Sequence, residues 1–236
     1  MATREGVRQY LIAGIVILVT VWFFYQYAAV RYGVAGLSSL NKSLAMSTLV
    51  LLGTVLLLGP LARMFAFFDR SLKYRKELGV LTFFTGLVHV YLSIFPLGRG
   101  GPFGLFLARP LSAYSGLFGL VIMFFLLLFS IKAVGQMLGP KLWWKMQNWG
   151  ARLAFILIAF HMTVLKYAGW GPWFATRGAE ITEGVPSLPP LAILGAVFTV
   201  FVLLVRFSEF LGPRLSRSIT QLSFLATAAF TIWLFV

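Results

Sequence analysis

Long runs of apolar residues, separated by short polar or basic stretches, follow one another along the whole chain. Seven of these runs are long, and they cover approximately 9–30, 44–62, 77–97, 112–135, 147–169, 190–211 and 218–236. Most exceed the roughly 18 apolar residues that mark a membrane-spanning helix. The pattern predicts an all-α fold, a polytopic membrane bundle of six to seven transmembrane helices that forms a single domain over residues 1–236.

The first and last runs each have a second interpretation. The run 9–30 follows Arg4 and Arg8, as the core of a signal peptide would. It is too long for such a core and lacks a small-x-small cleavage site, so we interpret it as an anchor. The run 218–236 is interrupted by five polar residues, Ser218, Thr220, Gln221, Thr227 and Thr231. It therefore either spans the membrane or lies as a half-buried helix at its interface.

The amino-acid composition excludes the classes of soluble protein. Hydrophobic residues make up 60% of the chain and charged residues 11%, against about half and a quarter in soluble domains. At about 25 residues for each span and its loop, 236 residues leave no room for a sizeable soluble domain.

In a soluble protein, a net charge of +14 would indicate binding to nucleic acid. In a membrane protein, basic residues lie in the loops, where they meet anionic lipid and set the topology, so we expect no nucleic-acid partner. Of the 20 Lys and Arg residues, 14 fall on the side of the N-terminus and 6 on the other. The distribution predicts an integral membrane protein with a cytoplasmic N-terminus.

The sequence lacks the residues that several kinds of site require. The chain has no cysteine, which excludes structural disulfides, iron–sulfur clusters and covalently attached heme. None of the six acidic residues lies deep in a predicted span, whereas ion-coupled carriers usually keep an intramembrane carboxylate. A transporter is therefore poorly supported.

The only two histidines, His89 and His161, fall inside the third and fifth apolar runs. Ionisable residues at such positions are rare in spans and suggest function. His89 lies about 18 Å from Glu77 and His161 about 21 Å from Gln147, at 1.5 Å per helical residue. Both would therefore lie at matching depth, slightly past the membrane midplane as counted from the N-terminal side.

Two imidazoles at one depth on parallel spans could ligate one heme iron from opposite faces. Zinc is a poorer fit, because two histidines without thiolate or carboxylate neighbours leave its coordination shell half empty. Small residues around His89 form one stripe at helical spacing, namely Thr82, Thr85, Gly86 and Ser93. The stripe suits the approach of a flat macrocycle or of another helix. The spacing alone leaves heme ligands and hydrogen-bonded buried histidines as alternatives.

From about residue 40 to 170 the chain resembles the ferric reductase-like transmembrane domain family. Within it, the chain is similar to the heme-binding membrane subunits of periplasmic methionine sulfoxide reductase systems. The resemblance rests on the order and spacing of Asn41–Ala45, Gly59–Arg63, Arg75–Gly79 followed by His89, and Leu138–Trp144 followed by His161.

The chain departs from the family pattern where an inner heme would be ligated. Asn148 stands 13 residues before His161, and Arg75 stands 14 residues before His89. The family usually has a histidine at the position of Asn148, and its oxidase-type relatives carry one at the position of Arg75. The resemblance therefore implies one heme b near the outer leaflet, with iron held by His89 and His161, and loss of the inner heme site.

The resemblance also implies a role and partners. We expect an electron-transfer subunit rather than a complete enzyme, in the bacterial inner membrane, working with a redox partner protein or a larger membrane complex. Basic residues at the outer span ends are candidates to pair with heme propionates, with simple anchoring at the membrane interface as the favoured alternative for any single one, namely Arg99, Arg109, Lys166 and Arg177. Electrons would come from a quinol, a flavin bound in the lost inner site, or a partner protein. The alternative is a non-catalytic structural or assembly subunit built on a degenerate reductase fold.

Overall fold

The computed structural model describes residues 4–98, 104, 108–175 and 188–236, and every regular element in these ranges is helical. The α-helices are α1 (Arg4–Tyr32), α2 (Leu37–Met64), α3 (Arg75–Ile94), α4 (Pro110–Phe129), α5 (Lys132–Leu138), α6 (Pro140–Lys166), α7 (Trp170–Ala175), α8 (Leu191–Ser208) and α9 (Pro213–Phe235). Short 3₁₀ segments lie at Ala66–Tyr74, Tyr167–Gly169 and Glu209–Leu211.

The predicted all-α membrane bundle is confirmed. Among the described residues, seven helical segments are long and apolar enough to cross a membrane. The last of them, α9, is 23 residues long, enough for a complete span.

The fourth and fifth apolar runs have boundaries that differ from those of the helices. The run 112–135 is not a single helix, because α4 ends at Phe129 and the backbone is extended at Ile131 before α5 begins. Gly139 then adopts a positive φ of 71°, and Pro140 opens α6 seven residues earlier than the apolar run 147–169 predicts. Proline suits this first helical position, since its missing N–H would have no partner there.

Helix α2 lies at the centre of the bundle, packed against α1, α3, α6 and α8. In the most apolar stretch of 18 residues within α2, 72% of the residues are buried. In the corresponding stretch of each other described span, at most 44% of the residues are buried. Ser39, Ser43 and Ser47 recur every fourth residue along it and are fully buried. Such small side chains let neighbouring helices approach closely.

Helices α2 and α3 run antiparallel, which decides which of their residues meet at each end. Near one end of the pair α2 and α3, Asn41 contacts His89. At the other end, Gly59 lies beside the Arg75 guanidinium. Helix α4 packs antiparallel to both α3 and α6, so α3 and α6 run in the same direction.

Candidate functional site

The two histidines occupy equivalent positions on parallel helices. His89 lies five residues before Ile94, the last residue of α3, and His161 lies five residues before Lys166, the last residue of α6. The structure therefore brings both to the end of the bundle that lies away from the N-terminus.

A closed set of hydrogen bonds orients the His89 ring. Its Nδ1 lies 2.8 Å from Asn41 Oδ1 and 3.2 Å from the Asn41 carbonyl oxygen. The Asn41 amide donates through Nδ2 to Ser93 Oγ at 2.9 Å, and Ser93 Oγ donates to the His89 carbonyl at 2.8 Å. The Ser93 hydroxyl donates its only proton to the His89 carbonyl, so Ser93 Oγ must accept the hydrogen bond from Asn41 Nδ2. This fixes Asn41 Oδ1 as the acceptor that faces His89.

Helix α4 orients the His161 ring. The Nδ1 atom lies 2.7 Å from the Ser112 carbonyl oxygen and 3.1 Å from Ser112 Oγ, and this hydroxyl also lies 3.2 Å from the His161 carbonyl. A Cβ at Gly116 would come within 2.7 Å of His161 Nδ1. Gly116 therefore leaves the space in which this ring lies against α4.

Both rings are held in the same tautomer. Carbonyl oxygens only accept hydrogen bonds, so Nδ1 carries the proton in each neutral imidazole and Nε2 keeps its lone pair. Within the described ranges, no hydrogen bond engages either Nε2 atom. An Nδ1–H held by a carbonyl with Nε2 left available is the usual arrangement of a metal-ligating histidine.

Two histidines suit heme better than a metal ion held by protein side chains alone. The described part of the chain contains no group of three or more His, Cys, Asp or Glu side chains that could hold a metal. Axial ligation of heme iron needs only two side chains, because the porphyrin supplies the other four ligands.

The small-residue stripe on α3 serves helix packing along part of its length. A Cβ at Gly86 would lie 3.2 Å from Thr48 Cγ2 on α2 and 3.5 Å from Leu120 Cδ1 on α4. The hydroxyls of Thr82 and Thr85 donate to carbonyls of their own helix. Close approach of helices therefore accounts for Gly86.

The basic residues proposed for propionates are only partly within the described structure. Arg99 and Arg177 lie outside the described residues. Arg109, at the start of α4, donates from Nη1 to the Leu165 carbonyl at 3.0 Å, and Lys166 follows as the last residue of α6. Arg109 and Lys166 thus both lie at the histidine end of the bundle.

Asn148, where the resemblance implies an inner histidine in relatives, accepts a hydrogen bond from a buried arginine. Its Oδ1 lies 3.1 Å from Arg206 Nη2 on α8. Arg206 also pairs with Glu209 at 2.9 Å, and the guanidinium of Arg75 lies beside Gly59 on α2. Both positions therefore border a network of charged side chains.

The sequence analysis missed the role of the two residues that orient the histidines. Asn41 and Ser112 lie near the starts of α2 and α4, and neither residue type marks a site by itself. The available signal was positional, since antiparallel packing puts the first turns of α2 and α4 beside the last turns of α3 and α6.

Comparison with known proteins confirms the resemblance to the wider family. Residues 43–158, just under half of the chain, match the family model described as ferric reductase like transmembrane component. The matched segment includes His89 and ends three residues before His161. No curated protein matches the chain significantly.

Proposed function

We propose that this integral membrane protein, which contains a ferric reductase-like transmembrane component, is a b-type cytochrome subunit that transfers electrons to or from a partner redox protein. The family match indicates a membrane redox component. The observation that supports a single bis-histidine heme is the shared state of His89 and His161. In both, Nδ1 is held by a carbonyl oxygen and Nε2 is left available.

Each group of the site has a definite part in this proposal. His89 and His161 provide the axial nitrogens, while Asn41 and the Ser112 carbonyl fix the ring orientation and raise ligand basicity. Arg109 and Lys166, at the same end of the bundle, are the cations offered to propionates. A bound heme b would supply one-electron exchange between the ferric and ferrous states.

The position of the site suggests where the partner binds. The histidines lie near the ends of α3 and α6, away from the N-terminus. The excess of basic residues on the N-terminal side favours a cytoplasmic location for that side. The heme would then lie nearer the outer leaflet, in the bacterial inner membrane, and exchange electrons with a periplasmic protein or with a quinol. This arrangement is the one that the similarity to periplasmic methionine sulfoxide reductase subunits implies.

A pyridine hemochrome assay tests the cofactor directly. Protein produced with heme available and purified in detergent should carry about one non-covalent heme b per chain, since the structure offers one pair of histidines. Absence of heme would contradict the proposal and favour the structural or assembly role. Two hemes per chain would show that ligands other than histidine serve a second site.

Asn41→Leu should raise the heme midpoint potential and weaken heme binding by about tenfold or more, in line with other residues that orient metal ligands. The variant removes the Oδ1 acceptor of His89 Nδ1–H. The imidazole then becomes less basic and stabilises ferric iron less. A spectroelectrochemical titration measures the shift.

The matched control is Thr163→Ala. The Thr163 hydroxyl donates to the Ala159 carbonyl of its own helix at 2.9 Å and not to an imidazole, so the midpoint potential should stay unchanged. Equal potentials in Asn41→Leu and the unmodified protein would contradict the positioning role of Asn41.

A further inference from the structure

Four arginines gather at the end of the bundle that lies away from the histidines. Arg63, Arg152 and Arg206 each form an ion pair with the single carboxylate of Glu209. Arg75 completes the group, since its guanidinium lies beside Gly59, one helical turn before Arg63 on α2. We refer to these four arginines and Glu209 as the arginine cluster.

The arginine cluster carries an excess of positive charge. One carboxylate faces four guanidinium groups, which stay protonated because the arginine pKa lies far above neutral pH. Glu77, which is buried, forms no ion pair with these arginines among the described residues, and its Oε2 has no hydrogen-bond partner there. An uncompensated charge is costly in so apolar a setting unless an opposite charge joins it.

Two donors of the arginine cluster have no acceptor. The residue Arg206 is only 8% exposed. Its Nη1 reaches Glu209 Oε2 at 2.9 Å and the Leu56 carbonyl at 3.4 Å, and its Nη2 reaches Asn148. Among the residues that the structure describes, the buried Nε atoms of Arg206 and Arg152 have no hydrogen-bond partner. Buried N–H groups of this kind normally find an acceptor.

The arginine cluster extends from the surface to the interior. The Arg63 side chain is 68% exposed, whereas the Arg206 side chain is 9% exposed. The four arginines come from the last turn of α2, the start of α3, the first half of α6 and the end of α8. An anion could therefore meet Arg63 at the surface and be held by the more buried groups.

We propose that the arginine cluster binds a phosphate group. A phosphate presents several acceptor oxygens and a negative charge, and the planar guanidinium fork matches it in a bidentate manner. The group belongs either to the headgroup of an anionic lipid or to a soluble phosphate compound. This site is distinct from the histidine pair, because Asn148 and His161 are 13 residues apart on α6, about 20 Å along the helix.

Binding to the detergent-purified full chain tests the proposal. In the first arm, inorganic phosphate is titrated at constant ionic strength against chloride, and the thermal unfolding midpoint is followed. In the second arm, native mass spectrometry measures the lipid retained from nanodiscs of phosphatidylcholine with or without phosphatidylglycerol. The variants are Arg152→Gln and Arg63→Gln, the latter at a side chain that is 68% exposed. The control is Arg214→Gln, an exposed arginine outside the arginine cluster.

We expect one of the two probes to bind, and to bind about tenfold more weakly to Arg152→Gln and Arg63→Gln. This is the effect of losing one charge-assisted hydrogen bond. Arg214→Gln should bind like the unmodified chain. Saturable stabilisation by inorganic phosphate identifies a soluble phosphate compound as the source, and selective retention of phosphatidylglycerol identifies a lipid. The proposal is overturned if neither probe binds, or if Arg214→Gln weakens binding as much as the two cluster variants.

Discussion

His89→Ala and His161→Ala should each abolish the low-spin, six-coordinate heme spectrum, with heme lost or bound at a small fraction of the normal amount. Each substitution removes one of the two axial nitrogens, and the sequence holds no third histidine to replace it. Absorption spectra and electron paramagnetic resonance of the purified variants distinguish a low-spin bis-histidine iron from a five-coordinate or absent one. Both variants should behave alike, because the two rings are held in the same tautomer at equivalent depths.

Asn148→Ala serves as the control for this experiment. It changes the residue at the inner position, which contacts Arg206 and not the histidines. Its heme content and spectrum should match those of the unmodified chain. A normal low-spin spectrum in either histidine variant would disprove that ligand assignment, and loss of heme in Asn148→Ala alone would place the heme at the inner end.

The helical fold was predictable because the length of an apolar run can be seen in the local sequence. Each span needs about 20 apolar residues whatever its neighbours are, so the seven runs predicted the seven spanning helices. The break between α4 and α5 was not predictable in this way. Ile131 is as apolar as the helix before it, and its extended backbone places α5 beside the start of α6, where Trp143 donates to the Phe129 carbonyl.

The candidate histidines were predictable because only two exist and both lie in spans. Their hydrogen-bond partners were not, since Asn41 is 48 residues from His89 and Ser112 is 49 residues from His161. These contacts depend on which helices are neighbours, and periodicity does not reveal that.

The arginine cluster shows a second limit of local patterns. Counting Lys and Arg for topology treats Arg152 and Arg206 as interfacial charges at span ends. The structure instead buries Arg206 between α2, α6 and α8, because Asn148, Leu56 and Glu209 meet around its guanidinium. A residue that sets orientation in the sequence thus also belongs to a buried polar network.

Glu209→Gln should destabilise the folded protein by about 3 kcal/mol or more, which is typical when one partner of a buried ion pair is removed. The Glu209 side chain is only 12% exposed and is the one carboxylate that meets Arg63, Arg152 and Arg206. Glutamine keeps its shape but leaves the four guanidinium groups to repel one another. The measurement is the unfolding midpoint of the purified chain in detergent, by heat and by denaturant.

Asp69→Asn is the matched control, because it removes one negative charge from an exposed position in the 3₁₀ segment Ala66–Tyr74. It should change stability by less than about 0.5 kcal/mol, as surface substitutions usually do. Glu209→Gln protein that remains folded should keep its heme spectrum, since the histidines lie at the other end of the bundle.

Combining Glu209→Gln with Arg206→Met should destabilise less than the sum of the two single changes, because the second change removes one of the charges left unpaired by the first. Equal stability of Glu209→Gln and Asp69→Asn would show that Glu209 does not hold the arginine cluster together.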